Sequence, residues 1–463
     1  MQMTRSRTFD AAFLAAATGG TPVGEPWGER VETDSRVDLT GALFVALSGE
    51  RFDGHDFVEE ALRKGAGGAV VGTKWRQDHR AVPGDLLVVS ETLAAPQDLA
   101  RAHRRRHPVP LAAITGSNGK TTTKELLALA LAPLGPVLKT EGNRNNHIGL
   151  PLTLLALDES HRAAVVEIGL NHPGELRLLS AIARPQVGVI TNVAASHLQG
   201  LGTVDGVAEA KAEIAESLDE SGILVVPEDS EPLSRALAGW RGRRRTFGLS
   251  ARADVHPRRV NDHGAAGMEI ELADGTVVRV PLLGEHAARN VLAALAAAEV
   301  LGVAPAQAAQ RMGEVRPTAG RLAPVVAGGV VVLDDTYNSN PGSLAASLRV
   351  LRTLAPAARR WAVLGDMLEL GSDAAPLHRR AGALAAFLDG LVTVGPLARE
   401  LGRGAIAAGL DPGRVHEAPS GEAAGALAAR HLRPGDVVLV KASRGLHLET
   451  AVASLRRGLG EEV

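Results

Sequence analysis

The stretch Ile114-Thr115-Gly116-Ser117-Asn118-Gly119-Lys120-Thr121-Thr122-Thr123 constrains this chain more than any other. It is a phosphate-binding loop in a shortened form. The common version reads G-x-x-x-x-G-K-[ST]. Here Ile114 stands where its first glycine would be, and only Ser117 and Asn118 separate Gly116 from Gly119. Residues 109–115 are apolar enough for a buried strand, and 122–131 read as a helix. Small residues between the two let backbone N–H groups turn toward an anion at the helix N-terminus. Gly116, Ser117, Asn118, Gly119 and Thr122 form the expected cradle, Lys120 reaches the outer phosphates, and Thr121 offers a hydroxyl to Mg²⁺.

A chain of 463 residues is too long for one core, and further apolar runs divide it into three blocks. Residues 1–108 hold short α/β pieces, with strands at 42–47, 68–71 and 86–89 and a helix near 57–64. Residues 109–316 carry the phosphate loop, then runs at 163–168, 187–191 and 223–226 separated by helical stretches. That alternation predicts a mostly parallel sheet. A hairpin follows at 268–272 and 277–281 around Asp274-Gly275, then an alanine-rich helix over 287–301. Residues 317–463 repeat the α/β alternation, with strands at 330–333, 361–364, 391–394 and 437–440 and helices at 343–354, 377–388 and 446–457. The expected fold class is therefore α/β in three domains: a small N-terminal one, a central phosphate-loop domain and a Rossmann-like C-terminal one.

Composition removes several function classes. The chain has no cysteine, so thiolate catalysis, disulfides and cysteine metal sites are excluded. The net charge of −2 makes no electrostatic case for nucleic acid. The basic run 101–107 reads as a solvated helix end before a linker. Arg5 and Arg7 precede no long apolar segment, and no run reaches the length of a membrane span. A cytoplasmic enzyme is the expectation. Only seven of the 50 basic residues are lysines, which gives weight to Lys120, Lys211 and Lys441 as places where arginine cannot serve.

Ligands in open α/β sheets sit at the carboxyl ends of strands. Glu167 ends one such run and is either an Mg²⁺ ligand or a surface acid. His197 lies just past another, as a metal ligand or a structural histidine. Lys211, taken alone, is a surface lysine on a helix over 207–218. Asn143, Asn145 and Asn146 lie near glycines and either form turns or read a polar substrate. Residues 334–341 (DDTYNSNP) hold the one tyrosine of the chain and suit either a nucleoside or the cap of the helix that follows.

Together these segments resemble the Mur ligase family, in order and over nearly the whole chain. The shortened loop is similar to that family's ATP site. Thr33-Asp34-Ser35-Arg36, Gly41 to Leu47 and Asp53-Gly54-His55 are similar to the UDP-binding domain of its two later members. The segments 142–149, 167–169, 334–341, 364–371 (LGDMLELG) and 441–444 (KASR) look most like the member that adds D-Ala-D-Ala to UDP-N-acetylmuramoyl-tripeptide. The Asp-Asn-Pro-Arg signature of the diaminopimelate-adding member is absent.

The resemblance implies an ATP-dependent ligase that activates a carboxylate as an acyl phosphate during peptidoglycan precursor synthesis, acting as a monomer. It implies two Mg²⁺ ions, one on Thr121 and Glu167 and one on His197, with Lys211 as a CO₂-derived carbamate that also ligates metal. Lys120, Lys211 and His197 would be the catalytic set. Asn290, Arg321 and Asp335 match the positions for adenine, γ-phosphate and ribose, and Ser35, Arg36, Asn143, Asn145 and Asn146 the peptide substrate. Two positions depart from the family. His-Asn-x-x-Asn reads His286-Ala287-Ala288-Arg289-Asn290, and Lys-Gly-Ser-Arg reads Lys441-Ala442-Ser443-Arg444. The alternatives are the diaminopimelate- or lysine-adding member, a folate polyglutamylating relative, and a nucleotide-switched binding protein that does not ligate.

Overall fold

The strands expected at 111–115, 163–167, 187–190 and 223–227 form one wholly parallel sheet in a computed structural model that describes residues 8–49, 52–354 and 357–461. Arg5 and Arg7 lie outside the described residues. The sheet has six strands, in the order 243–247, 223–227, 187–190, 111–115, 163–167, 137–139. Side chains alternate across it. Leu111 and Ala113 enter one core with Val166 and Ile190, while Ala112 and Ile114 enter a second with Leu126, Leu127 and Val291. Strand Leu111–Thr115 lies between 163–167 and 187–190; the chain leaves it for the edge strand 137–139, returns through 163–167 and then crosses to 187–190 on the other side. That reversal opens a crevice at the carboxyl ends, directly above the phosphate loop.

Helix Glu285–Val300 closes the second core. Eleven of its residues are buried, most of them alanines, whose small side chains let it lie close on helix Lys120–Leu131. The hairpin forms as expected, with an additional strand, Pro257–Asp262, pairing with it.

The N-terminal sheet has five strands, of which Thr21–Val23 alone is antiparallel to its neighbour. Its core is continuous with that of the central sheet through helix Ala94–Arg106. Here the expectation for 101–107 fails. His103 and Arg104 are buried at 1% and 4% exposure. Arg104 donates to the carbonyls of Ala183 (2.9 Å) and Val109 (2.8 Å), and His103 Nε2 donates to that of Leu157 (2.8 Å). The run is an anchor on the central domain, with Arg104 at the end of helix Glu175–Ala183, where a cation satisfies free carbonyls.

The C-terminal sheet orders its strands 323–327, 330–335, 437–441, 360–365, 390–394, 415–418, and only the first is antiparallel. Asp335, Lys441 and Leu364 stand in register at the carboxyl ends of its central strands. Among the described residues no helix is long and apolar enough to cross a membrane.

Candidate active site

The phosphate loop is rigid because it is tied down on its inner side. Ser117 N–H donates to the carbonyl of Asn192 at 3.1 Å, and Asn118 N–H to Asn192 Oδ1 at 3.0 Å. Thr191 and Asn192 both donate back to the Asn118 carbonyl. A Cβ on Gly116 would stand 1.8 Å from Thr191 Oγ1, and one on Gly119, at φ +81°, 2.4 Å from Asn290 Oδ1. Both glycines of the shortened loop are therefore required by close approach. The outer side is open. No side chain caps helix Lys120–Leu131, so its first N–H groups are available to an anion.

Lys120 folds over this cradle and donates to the Gly116 carbonyl at 2.8 Å. Burial lowers its pKa, Arg321 adds to the effect and Glu167 opposes it. Glu167 is buried at 2% exposure and accepts from Thr121 Oγ1 at 2.7 Å and from Asn145 Nδ2 at 2.8 Å. A hydroxyl and a carboxylate at the base of a phosphate site fit the habit of Mg²⁺, which takes one or two protein oxygens and leaves the rest to phosphate and water. Among the described residues no group of three or more histidine, aspartate or glutamate side chains converges to hold a metal alone.

These residues open into a cavity of about 740 Å³ between the central and C-terminal domains. The central wall carries Ser117, Asn118, Gly119, Lys120, Thr122, Asn145, Asn146, Glu167, His197, Lys211 and Asn290, and the C-terminal wall Arg321 and Asp335. Gly116 and Thr121 lie beneath them, bonded to Lys120 and Glu167. Besides these two, three expected residues are not part of the lining. Asn143 is exposed in a turn, where its carbonyl accepts from Asn145 N–H. Ser35 and Arg36 belong to the N-terminal domain, where Arg36 pairs with Asp34 at 2.7 Å.

Lys211 is not the surface residue its helix suggested. It is buried at 2% exposure, and among the described residues no hydrogen-bond or carboxylate partner reaches its Nζ. Burial pushes its pKa well down and the charge on Lys120 pushes it further. Both effects disfavour the charged form of the amine.

Asp335 is already engaged. Its Oδ2 accepts from Lys441 at 2.7 Å and Ser347 at 2.6 Å, and its Oδ1 accepts from Leu322 N–H, which leaves one acceptor position on Oδ1 free in a residue that lines the cavity. Arg321 lies 4.0 Å from the centre of the Tyr337 ring. The two family departures also acquire physical meaning. Ala287 is buried in the central core and absent from the lining, whereas Asn290 faces the cavity. Ala442 is fully buried and does not have a positive φ, so the missing glycine costs no strain there.

Sequence reasoning assigned no individual role to Asn192 or Glu369, and it read Asn340 only within the 334–341 cluster, as a nucleoside contact or a helix cap. Asn192 clamps the loop from the neighbouring strand end. Asn340 donates to Asn118 at 2.7 Å from across the domain boundary. Glu369 accepts from His197 Nδ1 at 2.6 Å, also across it, and that bond holds its carboxyl below the usual range. Residue spacing carries no signal for pairs this far apart in the chain.

Three family models match in succession: "Mur ligase family, catalytic domain" over residues 29–114, "Mur ligase middle domain" over 114–298 and "Mur ligase, glutamate ligase domain" over 320–444. The chain is 36% identical to the UDP-N-acetylmuramoyl-tripeptide–D-alanyl-D-alanine ligase of Bacillus subtilis, over 92% of each protein. Its fold matches a crystal structure of MurF from Acinetobacter baumannii with a TM-score of 0.87 at 32% identity, over 97% of this chain and 99% of that one. It matches MurF ligase from Thermotoga maritima in complex with ADP with a TM-score of 0.81 at 29% identity, over 93% and 97%. With its phosphate loop, its succession of α/β sheets and these matches along nearly its full length, the chain belongs to the Mur ligase family.

Proposed function

We propose that this protein is an ATP-dependent ligase that joins D-Ala-D-Ala to UDP-N-acetylmuramoyl-tripeptide, acting in the cytoplasm as a monomer in peptidoglycan precursor synthesis. Residues 1–108 would bind the UDP-peptide, 109–316 the ATP, and 317–463 would complete the ligase site. One observation carries this reading beyond nucleotide binding. Lys120, Glu167, His197 and Lys211 share one cavity, and a nucleotide switch would leave the last two idle.

The chemistry runs in two steps. A carboxylate oxygen of the tripeptide attacks the γ-phosphorus of ATP, the bond to the β–γ bridging oxygen breaks, and ADP leaves. The amine of D-Ala-D-Ala then attacks the acyl carbon, the C–O bond to phosphate breaks, and the amine gives up a proton. The first step brings two anions together, so positioning and charge neutralisation matter most. The open N–H groups of helix Lys120–Leu131, Lys120 and Arg321 receive the phosphate charge. Asn290 and the free lone pair of Asp335 hold adenine and ribose. Ser35, Arg36, Asn143, Asn145 and Asn146 hold the UDP-peptide.

Two Mg²⁺ ions, on Thr121 with Glu167 and on His197 with Lys211, would supply the remaining neutralisation when bound. Only the neutral form of an amine adds to CO₂, and burial shifts Lys211 toward that form. The resulting carbamate, formed with loss of a proton, is an oxygen ligand that arginine could not become. The acyl-phosphate route is tested with tripeptide substrate labelled with ¹⁸O in its terminal carboxylate. One labelled oxygen should appear in the released phosphate. Unlabelled phosphate would rule the route out.

A further inference from the structure

His197 and Glu369 meet across the domain boundary in a geometry that surface ion pairs rarely have. Among the described residues five non-glycines have positive φ, and two of them are this pair, at 53° and 61°. L-residues avoid this region unless their surroundings hold them there. Glu369 is gripped twice. Its carboxylate accepts from His197 Nδ1 at 2.6 Å, and its carbonyl accepts from Gln199 N–H at 3.1 Å. Among the described residues the carboxylate has no other partner, and neither does His197 Nε2. An imidazole that gives its Nδ1 proton to a carboxylate presents Nε2 as a lone pair, and a carboxylate so placed also makes that nitrogen a better donor to metal. His197 is on the central wall of the cavity, while Glu369 comes from the loop after strand Arg360–Gly365 of the C-terminal sheet.

We propose that Glu369 is a positioning residue of the ligase reaction: it holds the His197 ring with Nε2 available to the cation site, so that this site is complete only when the C-terminal domain is docked. The inference rests on the reading of His197 as a metal ligand. It explains why a half-exposed glutamate keeps an unfavourable backbone conformation to reach across a domain boundary. A plain surface pair contributes little to stability and needs no such backbone.

The test uses the full chain with Mn²⁺ in place of Mg²⁺, followed by electron paramagnetic resonance in the presence of a non-hydrolysable ATP analogue and UDP-N-acetylmuramoyl-tripeptide. The wild type should bind two Mn²⁺. Glu369→Ala should weaken one of them by about 10- to 100-fold and leave the other unchanged, the range expected for losing the outer partner of a ligating histidine. It should lower kcat far more than it raises KM for D-Ala-D-Ala. Glu369→Gln, whose amide oxygen still accepts from Nδ1, should recover part of both losses. In a His197→Ala background Glu369→Ala should cost nothing further. Unchanged Mn²⁺ binding in Glu369→Ala, equal weakening at both sites, or additive losses in the double variant would overturn the proposal. Dipeptide-dependent phosphate release by the wild type is measured alongside. If it is present while Glu369→Ala keeps both Mn²⁺ affinities, the inference falls and the ligase reading stands. If it is absent, both fall.

Discussion

Thr121 Oγ1 donates to Glu167 Oε2 at 2.7 Å, so the first turn of one helix and the end of the neighbouring strand set two oxygens side by side beneath the phosphate cradle. Glu167 is almost fully buried, with its two oxygens held by Thr121 and Asn145. Glu167→Gln should lower kcat by more than about 100-fold, a larger loss than outer-shell partners of a metal cause. Thr121→Val should raise the Mg²⁺ concentration needed for half-maximal rate, and Thr121→Ser should restore it. A magnesium titration of the three variants decides the matter, since an unchanged midpoint in Thr121→Val removes the threonine from the metal site.

Among the described residues Lys211, at 2% exposure, has no partner for its amine. Lys211→Ala should lose most activity and regain part of it with added short carboxylic acids, which would stand in for the oxygens of the proposed carbamate. Lys211→Arg should stay inactive, because guanidinium cannot take up CO₂ and adds a charge beside Lys120. Full activity in Lys211→Ala would remove the carbamate from the account.

Asn340 performs two tasks that one substitution can separate. Its Oδ1 accepts from Ser343 N–H at 2.9 Å at the start of helix Pro341–Leu354, and its Nδ2 donates to Asn118 in the phosphate loop at 2.7 Å. Asn340→Ala should cost about 1 kcal/mol of stability through the lost cap. Asn340→Asp keeps the cap and loses only the donor, so its melting temperature should stay near wild type while KM for ATP rises. Equal KM values in Asn340→Asp and wild type would show that the bond to Asn118 does not serve nucleotide binding.

His103 makes stability depend on acid. Burial pushes its pKa down to about 4 from an ordinary value near 6.5. The unfolded chain therefore binds a proton between those values that the folded chain refuses, and stability falls as pH drops through that window. The full effect below pH 4 is at most about 3.5 kcal/mol, from about 1.4 kcal/mol per unit. His103→Gln keeps a donor for the Leu157 carbonyl and cannot titrate. Denaturant melts at pH 7 and pH 4.5 should differ less in this variant than in the wild type.

Much of the fold was legible because the parallel strands are buried on both faces and read as short apolar runs, such as 163–167 and 437–441. Edge strands were not. Arg243–Phe247 is largely polar, since one side of it meets solvent, and its sequence matches a loop. The phosphate loop, Glu167 and His197 were visible as polar residues at strand ends. Taken alone Lys211 reads as a surface lysine, yet it lies on the buried, otherwise apolar face of its helix with Val207 and Ala208, while Asp205 and Glu209 face outward. Arg104 was misread because its charge is satisfied by carbonyls at a helix end and not by water. The bonds Asn118–Asn340 and His197–Glu369 depend on how two domains dock, which no local pattern encodes.

The most direct measurement is phosphate release by the full chain with ATP, Mg²⁺ and UDP-N-acetylmuramoyl-tripeptide, with and without D-Ala-D-Ala. The account predicts sustained release only when the dipeptide is present. Release that ignores the dipeptide, or that occurs instead with free diaminopimelate and the UDP-dipeptide precursor, would contradict it.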